Sequence, residues 1–296
     1  DAPDGFGHAL KFDCTTADTS IDAGETTIVM WQLEGQDVQQ MAKGTSSAKE
    51  VTVSFYAKAN ASKTYVCELK DFTNTRTVSK TFTVGTSYTR HEITFPADTT
   101  GAITSDTAKG FAMNIWLHAG STYTSGSLQT TWGAQTDANR AVGIDSFFSS
   151  TDNTFFISGV QMEVGPVATE FEHRTFEEEL TACQRYYKRM GAPRFGTSSF
   201  GYITGASVNA NAAQGVVAHH PEMRANPTVE HTGTASDYKI KSQNSNKTCS
   251  AVPQFTSNSR QTTTLWFVAT GLLTSGFAVH LQNATTDGFV AFEAEL

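Results

Sequence analysis

The sequence predicts an all-β protein of two domains joined by one helix, and three observations carry that prediction. Only 17% of the 296 residues are charged, while Thr and Ser make up about a quarter of the chain, a balance that suits strands and turns better than long salt-bridged helices. Apolar and polar residues alternate with period two from the start to about residue 170. A complete set of helix start and stop signals occurs once, between Thr175 and Pro193. At 296 residues the chain is too long for one ordinary sandwich, which gives two domains.

Within Ile28 to Gly35, a buried set of Val29, Trp31 and Leu33 puts Gln32 and Glu34 on the opposite face. In Val51 to Ala57 the apolar residues share one face, with Thr52, Ser54 and Tyr56 on the other. The run Phe111 to His118 turns Met113, Ile115 and Leu117 to a core and Asn114, Trp116 and His118 away from it. Phe156 to Val164 places Gln161 and Glu163 in the same way. Turn clusters at 119–122 and 126–127 separate these runs, and many short strands with turns between them read as a sandwich or jelly roll.

Thr175 and Glu178 have the spacing of a capping box, and Glu177 to Glu179 complement the positive end of a helix dipole. Lys188 and Arg189 suit the other end, and Gly191 and Pro193 stop it. Phe176, Leu180, Cys183 and Tyr187 form an apolar stripe for docking on a sheet. The expected domains are therefore 1–174, a linking helix at 175–190, and a second, smaller β-sandwich at 191–296. Strand-like runs return there at Leu265 to Ala269, Phe277 to Leu281 and Phe289 to Phe292, and the polar stretch Lys241 to Thr248 reads as an exposed loop. The loop from Gly191 to Ser199 is the expected first point of proteolysis.

The net charge of -8, with the 21 Lys and Arg scattered, disfavours nucleic acid. No apolar run approaches the roughly 20 residues that membrane insertion needs. A first residue other than Met reads as a segment of something longer. Cys14, Cys67, Cys183 and Cys249 lack C-x-x-C spacing and read as free thiols, with a Cys14 to Cys67 bridge left open.

No nucleophile, base and orienter fall at a recognisable spacing, and His219-His220-Pro221-Glu222 lacks the H-E-x-x-H pattern of a zinc protease. The sequence therefore reads as no enzyme. The candidate surface is a sheet face. Gln32, Glu34, Asn114, Trp116 and His118 are the expected glycan-binding residues, because sugar hydroxyls need amide and carboxylate partners and pyranose faces stack on rings. The plainer alternative is a satisfied sheet face with Trp116 tucked under a loop. Trp132, beside a Gly-rich turn, reads as a loop anchor.

Phe155-Phe-Ile-Ser-Gly-Val-Gln-Met-Glu-Val-Gly165, Ala168-Thr-Glu-Phe-Glu-His-Arg174 and Glu179-Leu-Thr-Ala-Cys-Gln-Arg-Tyr-Tyr187 together resemble a signature of tailed-phage virion proteins of marine type. Asp1 to His8, Leu33 to Gln36, Trp116 to Gly120, Pro221 to Thr228 and Ala294 to Leu296 fit the same family. The resemblance implies a jelly roll similar to carbohydrate-binding modules followed by a distal β domain. It also implies a non-enzymatic tail fibre or appendage in the virion, assembled in the host cytoplasm. The implied partners are a host surface polysaccharide, other virion proteins and two more copies in a homotrimer, for which Phe195, Phe200 and Tyr202 offer apolar surface. The strand and turn that usually precede the Asp1 motif are absent, and the family brings no catalytic residues. Jelly rolls of this kind often hold a structural calcium, for which Asp4, Asp13, Glu163 and Glu172 are the acidic groups near the sheet ends, with solvated carboxylates as the plainer reading. Two other roles compete: an accessory sugar-binding module of a polysaccharide-degrading enzyme, and a ligand-free capsid decoration or head fibre protein.

Overall fold

The computed structural model describes residues 1–191, 201–242, 245–271 and 273–296. It divides into two compact units, Asp1–His173 and Arg174–Glu295.

The first unit contains β1 (Leu10–Asp13), β2 (Thr26–Glu34), β3 (Val51–Ala59), β4 (Lys63–Asp71), β5 (Arg76–Val84), β6 (Thr89–Phe95), β7 (Lys109–Ala119), a one-turn helix α1 (Ser121–Thr124), β8 (Gly133–Ala134) and β9 (Thr154–Val164). Two antiparallel sheets run in the orders β1-β9-β3-β6 and β2-β7-β4-β5-β8. Apart from the two-residue β8, the strands pair as one nested hairpin: β1 with β9, β2 with β7, β3 with β6, and β4 with β5. That nesting, wrapped over two sheets, is a jelly roll. Its core is built as the alternation expects in β3 and β7, with Val53, Phe55 and Ala57 of one sheet against Leu69, Val78, Phe111, Met113, Ile115 and Leu117 of the other; in β9 the register shifts at Gly159, at φ +58°, so that Phe155 and Ile157 face inward where the alternation expects Phe156. Each large apolar side chain buried this way contributes about 1.5–3 kcal/mol by leaving water.

Alternation identifies the inner face of each sheet but does not show what covers the outer one. Thr52 and Ser54, expected on an open face, are buried. The segment after β9 lies over them: Thr52 donates to the Gly165 carbonyl at 2.7 Å, and Arg90 donates to both Ser54 Oγ and the Thr169 carbonyl. The same segment engages Gln161 and Glu163. Glu163 accepts from the Thr169 hydroxyl at 2.6 Å, and Gln161 Oε1 accepts from the Glu172 amide at 2.8 Å.

The second unit contains α2 (Phe176–Gln184), β10 (Tyr187–Gly191), β11 (Gly201–Asn209), β12 (Ala212–Ala218), β13 (Thr228–His231), β14 (Tyr238–Ser242), β15 (Ser245–Thr248), β16 (Gln254–Asn258), β17 (Thr262–Val268), β18 (Ala278–Asn283) and β19 (Phe289–Glu293). It too is a sandwich, of a seven-stranded sheet in the order β15-β14-β18-β11-β12-β17-β16 and a three-stranded sheet in the order β10-β19-β13. Tyr238, Ile240, Leu265, Phe267 and Leu281 of the larger sheet pack with Val290 and Phe292 of the smaller.

The helix begins where the sequence puts it. Thr175 Oγ1 accepts from the Glu178 amide, and Glu178 accepts from the Thr175 amide, completing the capping box. It ends six residues early. Tyr187–Gly191, which carries the expected C-terminal Lys188 and Arg189, is instead a strand paired along its whole length with β19. Five ladder pairs outweigh the fraction of a kcal/mol that two cations add at a helix end. The expected apolar stripe does not dock, since Phe176 is 71% exposed and no residue of α2 is buried. In the stretch Lys241 to Thr248, expected as a loop, the described residues belong to strands: Lys241 and Ser242 of β14 pair with Asn246 and Ser245 of β15. The expected proteolytic loop after Gly191, with Pro193, Phe195 and Phe200, lies outside the described residues; Tyr202 is buried in the second core. All four cysteines are free thiols, including Cys14 and Cys67.

Candidate functional site

Three cross-strand rows span the outer face of the five-stranded sheet. The first aligns Ile28, Trp116 and Val66; the second Met30, Asn114, Glu68 and Ser79; the third Gln32, Ala112, Lys70 and Thr77. Residues 120–146 cover the first row, and Trp116, Val66 and Ala141 form a small apolar cluster with Ile28, Tyr123, Leu128 and Ile144 packed on it. The cover is bolted to the second row. Arg140 donates Nε to Glu68 Oε1 at 2.7 Å and Nη2 to Oε2 at 2.8 Å. Asn114 Nδ2 and Trp116 Nε1 donate to the same Oε2 at 2.7 and 3.1 Å. Four donors on one fully buried carboxylate compensate the loss of its hydration.

This arrangement revises the residues expected to hold a sugar. Trp116 and Asn114 are wholly buried beneath the cover, so neither offers a ligand surface. His118 is buried too, with Nδ1 2.9 Å from Ser146 Oγ, Glu25 3.6 Å from Nε2, and Phe148 edge-on to the ring. Glu34 is buried and accepts from Gln36 at 2.9 Å. Gln32 alone of the five stays partly accessible, at the edge of the third row. Sequence alternation puts these side chains on one face but carries no sign of the cover, whose anchor Arg140 is 72 residues from Glu68.

The third row is the part left open. Lys70 follows Glu68 by two positions and so shares its face, and Phe72 continues that face just beyond β4, where its amide donates to the Gly110 carbonyl. Lys109 arrives by a bulge. Leu33 pairs with Phe111 and Glu34 with Lys109, so Gly110 has no partner on β2 and the strand is re-aimed there. Only glycine fits, because a Cβ at 110 would stand 2.7 Å from Gly35 Cα. The result brings two ammonium groups to one ring, Lys70 Nζ at 4.7 Å and Lys109 Nζ at 4.4 Å from the Phe72 centroid. Gln135, held by its amide to the Thr75 carbonyl, closes the far side and donates to Asp137 at 2.8 Å.

Five buried side-chain oxygens on these rows have no hydrogen-bond partner: Gln32 Oε1, Asn114 Oδ1, Gln135 Oε1, Thr77 Oγ1 and Ser79 Oγ. The amide oxygens only accept; Asn114 Oδ1 lies beneath the cover, whereas those of Gln32 and Gln135, on half-buried residues, suit hydroxyl donors. Neither Lys70, Phe72, Lys109 nor Gln135 was singled out by the sequence. The available signal was parity, since Lys70 and Phe72 alternate with the core-facing Leu69.

Trp31, expected in the core, is 39% exposed. It lines an apolar cleft of about 290 Å³ with Leu10, Val29, Met30, Met113, Ile157 and Val160, residues of β1, β2, β7 and β9. Trp132 anchors its loop, donating Nε1 to the Pro96 carbonyl at 2.8 Å.

The calcium expectation is not met by the acidic groups named for it. Asp13 pairs with Lys11 and Glu163 with Thr169, and among the described residues no group of three or more His, Cys, Asp or Glu is placed to hold a metal. An oxygen cage does exist elsewhere, and a side-chain cation fills it. Lys43 Nζ contacts Asp71, Asp98 at 3.0 Å, and the Thr100 and Gly101 carbonyls at 3.0 Å each. Arg76 completes the pairing by donating twice to Asp98, at 2.8 and 3.0 Å.

No protein-family model and no curated protein sequence matches the chain. Among solved structures it is similar to recombinant discoidin II of Dictyostelium discoideum at 9% identity and a TM-score of 0.19, covering 100% of this chain and 87% of that one. It is also similar to the N-terminal CBM22-1–CBM22-2 tandem domain of Paenibacillus barcinonensis Xyn10C, at 12% identity and a TM-score of 0.22, covering 98% and 96%. Likeness at this level is silent on ligand and role, and the jelly roll rests on the strand pairing above.

Proposed function

We propose that the first unit binds a glycan on the open third row, through Gln32, Lys70, Phe72 and Gln135. The observation that carries this reading is a half-buried aromatic ring on a rigid sheet, flanked by two half-buried glutamines, Gln32 and Gln135, whose unpartnered amide oxygens lie just under the surface and reach a ligand by rotation of the terminal amide. A sugar hydroxyl donates where protein offers only acceptors, and a pyranose face covers the ring. Sheet-borne side chains are pre-organised, so little ordering entropy opposes binding.

The chain as a whole is, on this proposal, a non-enzymatic tailed-phage virion protein, a fibre or appendage that presents the sheet face to a host surface polysaccharide. The resemblance across 155–187 supports that location, and assembly with other virion proteins as a homotrimer belongs to the same reading. Glycan-array binding of the full chain tests the ligand claim. Phe72→Ala and Gln32→Ala should each weaken the strongest hits by about tenfold, a 1.4 kcal/mol loss. An array with no hits, or hits indifferent to both substitutions, rejects the surface. The genes beside the reading frame test the role: capsid, portal or tail genes support the virion, whereas a hydrolase domain in the same frame transfers the module to an enzyme. A solution mass of one 31.9 kDa chain, against three, removes the trimer for this segment.

A further inference from the structure

We infer that the glycan is anionic, and that Lys70 and Lys109 form the seat for its carboxylate or sulfate group; this deepens the glycan-binding reading and rests on it. The geometry is two like charges brought to one ring. With their nitrogens 4.7 and 4.4 Å from the Phe72 centroid, the two ammonium groups lie within about 9 Å of each other, inside the roughly 10 Å screening length of 0.1 M salt. Both side chains are half-buried, so part of their hydration is gone.

The protein's own carboxylates act on these lysines only from beyond ion-pair distance. Among the described residues the ion pairs of this unit include neither lysine. The nearby acids are engaged: Glu68 holds Arg140, Asp137 takes Gln135 and Arg140, and Glu34 takes Gln36. Burial first, then the positive charges of Arg140 and Lys109, push the Lys70 pKa below the ordinary lysine value, against the opposing pull of Glu68 and Asp137. A bound anion would relieve that repulsion. The Phe72 ring face attracts both cations but neutralises neither.

The remainder of the row fits the remainder of an acidic sugar. Gln32 and Gln135 sit on β2 and after β8, on opposite sides of the sheet face that has Lys70 in it, and their buried, unpartnered amide oxygens become acceptors for ring hydroxyls once the terminal amides rotate outward. The guanidinium of Arg140 is engaged by Glu68 and Asp137, so the anion meets point charges rather than a planar fork. The negative net charge of the whole chain does not forbid this, because charges beyond a screening length contribute little at physiological salt.

The test compares matched polymers on the full chain by titration calorimetry. A polyuronate oligosaccharide is set against its carboxyl-reduced neutral counterpart, and a sulfated galactan oligosaccharide against its desulfated form. The acidic member of at least one pair should bind about tenfold or more tightly, and that advantage should shrink as salt rises toward about 0.5 M. Lys70→Met and Lys109→Met should each abolish most of the advantage, and Lys109→Met should do so while leaving neutral binding and the melting temperature unchanged. Lys109→Arg, which retains the charge, should keep it. The uronate and sulfate arms identify which anion is seated. Equal or tighter binding of both neutral members overturns the anionic seat and leaves the glycan surface standing. Binding of none of the four polymers, when the array reports neutral hits, also overturns it; absence of all glycan binding removes the surface and this inference together.

Discussion

Glu68 shows how one residue can decide what a surface is for. Its carboxylate receives Arg140, Asn114 and Trp116, and through Arg140 it fastens residues 120–146 over half the sheet. Glu68→Gln leaves the Arg140 guanidinium buried without its counter-charge, a change worth about 3 kcal/mol or more. Denaturant unfolding should report that loss, and Trp116 fluorescence should shift toward the solvent-exposed range as the cover loosens. His219 offers a second test, in the other unit. It is 2% exposed, with Nε2 2.9 Å from Thr263 Oγ1 and its ring edge-on to Phe292. Burial, then the charges of Lys188 and His220, lowers its pKa from 6.5 to about 4. A histidine whose folded pKa is depressed binds its proton more readily when unfolded. Stability from this residue is therefore complete above about pH 6.5 and falls as pH drops from there toward 4. Unfolding midpoints measured across that window should slope less steeply in His219→Gln than in the parent chain.

Among the elements, the bulge in β7 has the most direct functional consequence. Gly110 sits unpaired opposite β2, and the displaced register is what turns Lys109 toward Phe72. Gly110→Val drives a Cβ to 2.7 Å from Gly35 Cα, where backbone rather than a flexible side chain must yield. The expected outcome is a drop of about 1–3 kcal/mol in stability, as for other overpacked sites, together with loss of the preference for acidic over neutral glycans. Retention of that preference would detach Lys109 from the site. The helix teaches the complementary lesson. Its start was legible because the capping box is a local device, closed between Thr175 and Glu178. Its end was not, because the partner that captures Tyr187–Gly191 is β19, about a hundred residues downstream.

For the whole molecule, each unit carries its own core, one around Phe55, Phe111 and Phe155 and the other around Tyr238, Phe267 and Phe292. Neither core borrows a residue from the other unit. Chains spanning 1–173 and 174–296 should therefore fold separately, each with a cooperative thermal transition and dispersed amide spectra. Only the first should retain glycan binding. A first segment that stays unfolded alone would show that its jelly roll depends on the rest of the chain.

The sequence by itself determined the local terms: the all-β class, strands over Val51–Ala57, Phe111–His118 and Phe156–Val164, the inner faces of β3 and β7, and the start of α2. These follow from period-two alternation and side-chain capping, which act between residues a few positions apart. The nested pairing of β1 with β9 through β4 with β5, the cover that buries Trp116, Asn114 and His118, and the convergence of Lys70 and Lys109 on Phe72 were decided only in three dimensions. Alternation says which side chains share a face. What lies over that face is set by contacts such as Arg140 with Glu68, whose partners are far apart in the chain and bear no local mark of each other.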